Sequence, residues 1–232
     1  MFSNMINLLK KIRIVLVRTF IPHASYYLFG VPTRSTKPLS DHFGYDRGTP
    51  IDRYYIEEFL SKNAHLITGI CLEIESTMYI EKYGSGVIRA DALDINPANK
   101  SAAIIADLRS MPQVPSETYD CLVLTSTFGM IDDLDSAVSE CYRILKPGGV
   151  LLATLSAINR VEYPEANFWA FRSASAKYIF GKYFQNVNVE SYGNVLVGQA
   201  FLVGQSLQDL APKELNTHDP HYPVVIAVRA KK

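Results

Sequence analysis

The chain has 232 residues, of which 48% are hydrophobic and 20% charged, enough for one α/β domain with a buried core and a small extension. Its 23 basic and 23 acidic side chains cancel, which excludes the marked basic excess of a dedicated nucleic-acid binder. Cys71, Cys121 and Cys141 stand far apart in apolar runs, which excludes a disulfide framework, suits a reducing cytoplasm and, with no CxxC spacing, leaves no zinc site.

Residues 8–20 are apolar but broken by Lys10, Lys11, Arg13 and Arg18. They fall short of the ~20 apolar residues that span a bilayer and lack a signal-peptide pattern. The pattern predicts a basic amphipathic helix, which either packs on its own domain or touches an anionic membrane surface through residues 1–20. Residues 1–40 hold six Lys and Arg and no Asp or Glu, so the rest of the chain carries the compensating acidic excess. Pro32, Pro38, Gly44, Gly48 and Pro50 mark a connector. The expected organisation is a basic helix and connector over 1–49, then a domain over 50–232.

A helix is predicted over 51–63, where Tyr55, Ile56, Phe59 and Leu60 repeat at helical spacing. Strands follow at 69–74 (β1), 87–95 (β2), 102–108 (β3), 121–127 (β4), 150–155 (β5), 187–192 (β6) and 224–230 (β7). Several are near-continuous apolar runs, as in strands buried on both faces. The clearest helix spans 134–145: Leu134, Val138, Cys141 and Leu145 form its inward stripe, and Pro147-Gly148-Gly149 stops it. Alternating strands and helices predict a doubly wound, Rossmann-like α/β sheet.

Ligands in such sheets bind beyond the carboxyl ends of the strands. β1 ends at Glu73-Ile74-Glu75, β2 at Asp94-Ile95-Asn96, β3 at Ala106-Asp107-Leu108, and β4 reaches its end near Thr125. An acid about 20 positions past the first loop is placed to accept from both hydroxyls of a ribose, as Asp94 is. Asp107 is placed to accept from an adenine amino group. Each acid, taken alone, is also explained as a cap of a strand-to-helix turn.

These residues resemble the class I S-adenosylmethionine-dependent methyltransferases, in the small-molecule methyltransferase domain family. The resemblance rests on LEI at 72–74, the acid at Asp94, ADL at 106–108, YD at 119–120 and YRILKPGG at 142–149. RGTPIDRYYIEEFL at 47–60, the W-x-F of Trp169 to Phe171 and SYGNV at 191–195 resemble a bacterial subgroup associated with cell-surface polysaccharide biosynthesis. The resemblance implies seven strands with the last antiparallel and S-adenosylmethionine as cofactor. It also implies a small-molecule or glycan-precursor hydroxyl as methyl acceptor. The cofactor would be held by Glu73, Glu75, Asp94, Ile95, Asp107, Leu108 and Thr125. Arg53 would take the methionine carboxylate, with Tyr54 or Tyr55 in support, unless it pairs with Glu57 on the helix surface.

The chain departs from the family at Glu75-Ser76-Thr77, where glycines normally let backbone approach the ligand. Glu75 either pairs with the amino or sulfonium cation of the cofactor or fills its pocket, leaving a non-catalytic scaffold or partner-binding protein. S-adenosylmethionine has no phosphate, so a lost glycine loop harms it less than it would an NAD enzyme. The acceptor wall is expected from 126–133, 156–169 and the β6–β7 connection, which would form a lid. Within that connection His218 and His221 are candidate general bases, or parts of a polar turn at Asp219-Pro220. Asp132 and Asp133 are alternative bases or helix caps. Tyr163, Phe168, Trp169 and Phe171 either stack on an acceptor ring or belong to the core.

Overall fold

The computed structural model describes residues 36–161 and 163–232, with the backbone of a short hairpin pairing Tyr27–Leu28 with Val31–Pro32. The basic helix expected near the N-terminus lies outside the described residues. In chain order the elements are α1 (Ile51–Lys62), β1 (Gly69–Ile74), α2 (Met78–Tyr83), β2 (Val87–Asp94), β3 (Ile104–Ile105), β4 (Tyr119–Thr125), α3 (Leu134–Ile144) and β5 (Leu145–Ser156). They continue with α4 (Ser173–Phe180), β6 (Asn186–Tyr192), α5 (Val195–Leu202), α6 (Pro212–Leu215) and β7 (Val225–Lys231).

The seven strands lie in the order β3-β2-β1-β4-β5-β7-β6. β7 runs antiparallel to β5 and β6, while the strands from β3 to β5 pair in parallel. This is the expected doubly wound sheet with its last strand reversed. Alternate residues of each strand face opposite sides. Leu72, Leu122, Leu124, Leu151 and Ala153 therefore pack with α3 and α4. Cys71, Cys121, Val123, Val150 and Leu152 pack with α1, α2 and α5. The same parity carries Glu73, Thr125 and Ser156 to the α1 face at the carboxyl end of the sheet, so three polar side chains surface together there.

Three boundaries differ from the sequence expectation. β3 is two residues long, because Asp107 already turns the chain: its carboxylate accepts from the Arg109 amide at 2.9 Å and its backbone bridges to Ser110. β4 starts at Tyr119 and ends at Thr125, since Ser126 adopts a left-handed φ of 54° and leaves the strand. Pro147-Gly148-Gly149 lie inside β5 as a bulge, not between helix and strand. The pairing with β4 jumps from Tyr119↔Leu145 to Cys121↔Val150 across them.

Residues 39–50 lie against the β6–β7 connection. The Leu39 amide donates to Val203 O at 2.7 Å, Arg47 grips Asp209 at 2.9 and 3.1 Å, and Pro50 bridges to Ser206. The expected lid is thus a fixed layer over α1, joined to the connector that precedes the helix.

At the far end of the sheet, the Asp120 carboxylate accepts from the Ile70 amide at 2.8 Å and from Lys146 Nζ at 2.7 Å. Gly69 beside it has φ +72°, and a Cβ there would sit 2.5 Å from Asp120 Oδ2. Gly69→Ala is expected to destabilise the domain by about 2–4 kcal/mol through backbone strain and steric conflict. Chemical denaturation measures this, and an unchanged midpoint would contradict the packing described.

Candidate functional site

A cavity of about 370 Å³ opens at the carboxyl ends of β1, β4 and β5 on the α1 face, a size within the usual range of small-molecule sites. One side is formed by Asp52 and Arg53 of α1, by Glu73, Glu75 and Ser76, and by Tyr79 of α2. The opposite wall comes from Thr125, Ser126, Thr127, Gly129 and Met130 and from Ser156, Asn159, Arg160, Tyr163, Asn167 and Trp169; Phe43, Tyr45, Pro50 and Phe201 complete it. All three segments expected to build the acceptor wall reach it, the β6–β7 connection through Phe201.

Glu73 is 3% exposed. Its two oxygens accept from the amides of Tyr79 at 3.0 Å and Ile80 at 2.8 Å, seating the start of α2. Burial pushes its carboxyl up to about 7, against the pull of those two amides. Glu73 therefore shapes the turn after β1.

Glu75 has φ 65°, the left-handed conformation that favours glycine. The chain keeps the backbone path of a glycine turn while carrying a carboxylate there. That side chain is exposed at the cavity wall, and the backbone is tied down: its amide donates to Leu93 O and its carbonyl accepts from Asn99 Nδ2, both at 2.8 Å. Among the described residues four non-glycines are left-handed, and Phe43, Glu75 and Ser126 of these line the cavity. Each costs on the order of 1–2 kcal/mol, and strain of this kind gathers at functional sites.

Arg53 donates to the Tyr79 hydroxyl at 2.8 Å and to the Tyr45 hydroxyl at 3.4 Å. Burial alone would lower its pKa, but the Tyr79 hydroxyl and its other neighbours raise it on balance. Among the described residues no carboxylate pairs with its guanidinium; Glu57, four positions on, pairs with Lys82 at 2.7 Å. The supports expected at Tyr54 and Tyr55 are elsewhere: their hydroxyls bond Asn216 and the Leu215 carbonyl. Tyr45 and Tyr79 were missed because their link to Arg53 is tertiary and leaves no local pattern.

Thr125 lines the cavity; Asp94, Ile95, Asp107 and Leu108 do not. Asp94 is half-buried at the end of β2 and accepts from Asn99 Nδ2 at 2.7 Å. Ile95 beside it is 67% exposed, whereas Leu108 is core. Asp107 is gripped by Arg109, whose hydrogen bonds hold its carboxyl below the usual range; Arg109 also binds Asp132 at 2.6 Å. Asp133 caps α3 by accepting from the Ser136 amide at 3.0 Å.

His218 and His221 are not brought to the cavity. His218 lies edge-on to Tyr55 and Tyr192, and its Nδ1 accepts from the Gly193 amide at 3.3 Å. His221 is an exposed partner of Asp219. The aromatic cluster divides: Phe171 is core, while Tyr163 and Trp169 line the cavity and Phe168 is exposed outside it. Among the described residues no group of His, Cys, Asp and Glu is arranged to hold a metal ion.

Residues 68–153 match the family model described as a methyltransferase domain. The matched segment runs from the start of β1 into β5. No curated protein matches the chain. Among solved structures, the chain is similar to an S-adenosylmethionine-dependent methyltransferase from Archaeoglobus fulgidus, with TM-score 0.54 and 15% identity over 78% of this chain and 94% of that one. It is similar to a possible histamine N-methyltransferase from Thermotoga maritima, with TM-score 0.53 and 17% identity over 81% and 94%. It is also similar to the [4+2]-cyclase SpnF, with TM-score 0.54 and 13% identity over 80% and 84%. At these identities the likeness establishes the fold, which hosts more than one chemistry.

The residues present fit S-adenosylmethionine at its amino-acid end, because a guanidinium that forms no ion pair among the described residues lines the cavity near the Glu75 turn. At the ribose position Asp94 ends β2 outside the cavity lining, its two oxygens accepting from the Asn96 amide at 2.9 Å and from Asn99 Nδ2 at 2.7 Å. At the adenine edge Asp107 is already engaged by Arg109.

The raised carboxyl of Glu73 has a consequence for stability. Between about pH 4.5 and 7 the folded chain holds a proton that the unfolded chain has lost. The stability this contributes is complete below about 4.5 and lost as pH rises through about 7. Wild-type stability is expected to fall across this window relative to Glu73→Gln, with parallel curves above it. Parallel curves throughout would contradict the burial of this acid.

Proposed function

We propose that the protein transfers a methyl group from S-adenosylmethionine to a hydroxyl of a small molecule or glycan precursor, working in the cytoplasm. The observation that carries this reading is Arg53: a cation lining the cavity, held by two phenols and, among the described residues, in no ion pair with a carboxylate. When bound, S-adenosylmethionine would supply a methyl on a sulfonium; transfer would break its S–C bond, form a C–O bond to the acceptor oxygen, leave a neutral thioether and release the hydroxyl proton to water.

The chain's own residues bind and orient. Arg53 takes the methionine carboxylate by a charge-assisted pair, and Glu75 takes the amino group. Asp94 accepts from the ribose hydroxyls, with Ile95 covering the base. Asp107, with Arg109, borders the adenine edge. Glu73, Leu108 and Thr125 act behind these as supports of the turn, the core and the end of β4. A base drawn from His218 or His221 would require the β6–β7 connection to move. Positioning therefore carries most of the rate, which suits a leaving group already activated as a sulfonium. Free, buried Cys71, Cys121 and Cys141 support a reducing compartment.

Calorimetric titration with S-adenosylmethionine tests the reading. Binding is expected in the wild type, weakened roughly tenfold in Arg53→Ala by loss of a charged hydrogen-bonded pair. Glu75→Gly is expected to weaken binding several-fold while leaving stability unchanged or higher, since glycine accepts φ 65° freely. No binding at millimolar ligand would refute the assignment, and tighter binding by Glu75→Gly would show that Glu75 blocks the pocket.

The acid-free N-terminal segment supports a further proposal, peripheral contact of residues 1–20 with anionic membrane. Among the described residues no helix is long and apolar enough to cross a membrane. The full chain is expected to sediment with anionic vesicles and to lose this on deletion of residues 1–20. Sedimentation unchanged by the deletion would contradict it.

A further inference from the structure

Charge is divided across the cavity. The acids that line it, Asp52, Glu73 and Glu75, all sit on the α1–β1 side, with Arg53. On the opposite wall, formed by the loops after β4 and β5, Arg160 is the charged side chain among the described residues. Its guanidinium lies over the Phe43 ring, 5.1 Å from the centroid, and among the described residues it has no hydrogen bond or ion pair. Stacking uses the face of a guanidinium and leaves the in-plane N–H donors free for a bidentate anion. Phe43 is thus a support that orients Arg160 without neutralising it.

One cation is enough for the carboxylate of the cofactor, and Arg53 supplies it. Arg160 is a second cation, on the wall where the acceptor would lie. On the same wall Trp169 offers a fixed aromatic side chain: the indole Nε1 donates to Ile131 O at 2.8 Å and the backbone amide to Gly129 O at 3.2 Å, yet the residue is 43% exposed. The carboxamides of Asn159 and Asn167 line the same wall without a protein partner among the described residues. A planar apolar face, two carboxamides and one anion-seeking fork match a hydroxylated ring that carries negative charge.

We propose that the acceptor is an anionic sugar whose phosphate or carboxylate is bound by Arg160, which makes Arg160 a specificity-determining residue. The inference rests on the methyl-transfer reading of this cavity. The acids opposite repel the same anion, so the charge division also fixes which way round the acceptor enters.

The test is calorimetric titration of the full chain, with and without saturating S-adenosylhomocysteine, using glucose 1-phosphate, galacturonate and glucose. At least one charged sugar is expected to bind roughly tenfold or more tighter than glucose, as a charge-assisted bidentate pair provides. The preferred one identifies phosphate or carboxylate as the anion. Arg160→Gln is expected to abolish the preference while leaving S-adenosylhomocysteine affinity within about twofold, and Arg160→Lys to restore part of it as a point charge. Equal binding of glucose and the charged sugars, or a preference that survives in Arg160→Gln, overturns the proposal. Charged-sugar binding through Arg160 without S-adenosylhomocysteine binding would instead contradict the methyl-transfer reading.

Discussion

The site depends on one buried carboxylate. Glu73 ends β1 with both oxygens occupied by the first amides of α2. That contact fixes how the chain turns after the central strand. It brings Tyr79 round to hold Arg53, and it leaves Glu75 to complete the turn in a left-handed conformation. A carboxylate kept out of water is costly, and its pKa near 7 reflects that cost. The amides offset part of it, and the hydrophobic layer of α1, α2 and α5 excludes solvent around it.

The strained residues form a second pattern. Phe43, Glu75 and Ser126 come from three separate segments, yet all adopt left-handed backbone around one cavity. Each has a local job: Phe43 backs Arg160, Glu75 turns the chain after β1, and Ser126 turns it after β4. Tertiary contacts hold them there, since none is favoured by its own sequence. At Glu75 the backbone thus keeps a conformation that glycine would favour, with a carboxylate in place of a glycine's hydrogen.

The sheet was legible in the sequence because its strands are apolar runs with acids at their carboxyl ends, a pattern that parity and burial impose locally. Glu75 and Asp94 were placed at strand ends for the same reason, and of the two Glu75 lines the cavity. What escaped was tertiary. Nothing near Arg53 announces Tyr79, which lies 26 positions on, and nothing in 39–50 marks it as a wall joined to the β6–β7 connection. His218 drew notice as a titratable group in a candidate lid, but it packs between Tyr55 and Tyr192. Trp169 and Phe171 share a short motif and still part company, one lining the cavity and the other entering the core.

The central claim is that the Glu73 turn and Arg53 build a receptor for the amino-acid end of the cofactor. The most direct measurement compares the affinity of the wild-type protein for S-adenosylhomocysteine with that for 5′-methylthioadenosine, which lacks that end. The account predicts that S-adenosylhomocysteine binds more tightly by roughly tenfold or more, the contribution of a paired carboxylate. Equal affinities would contradict it.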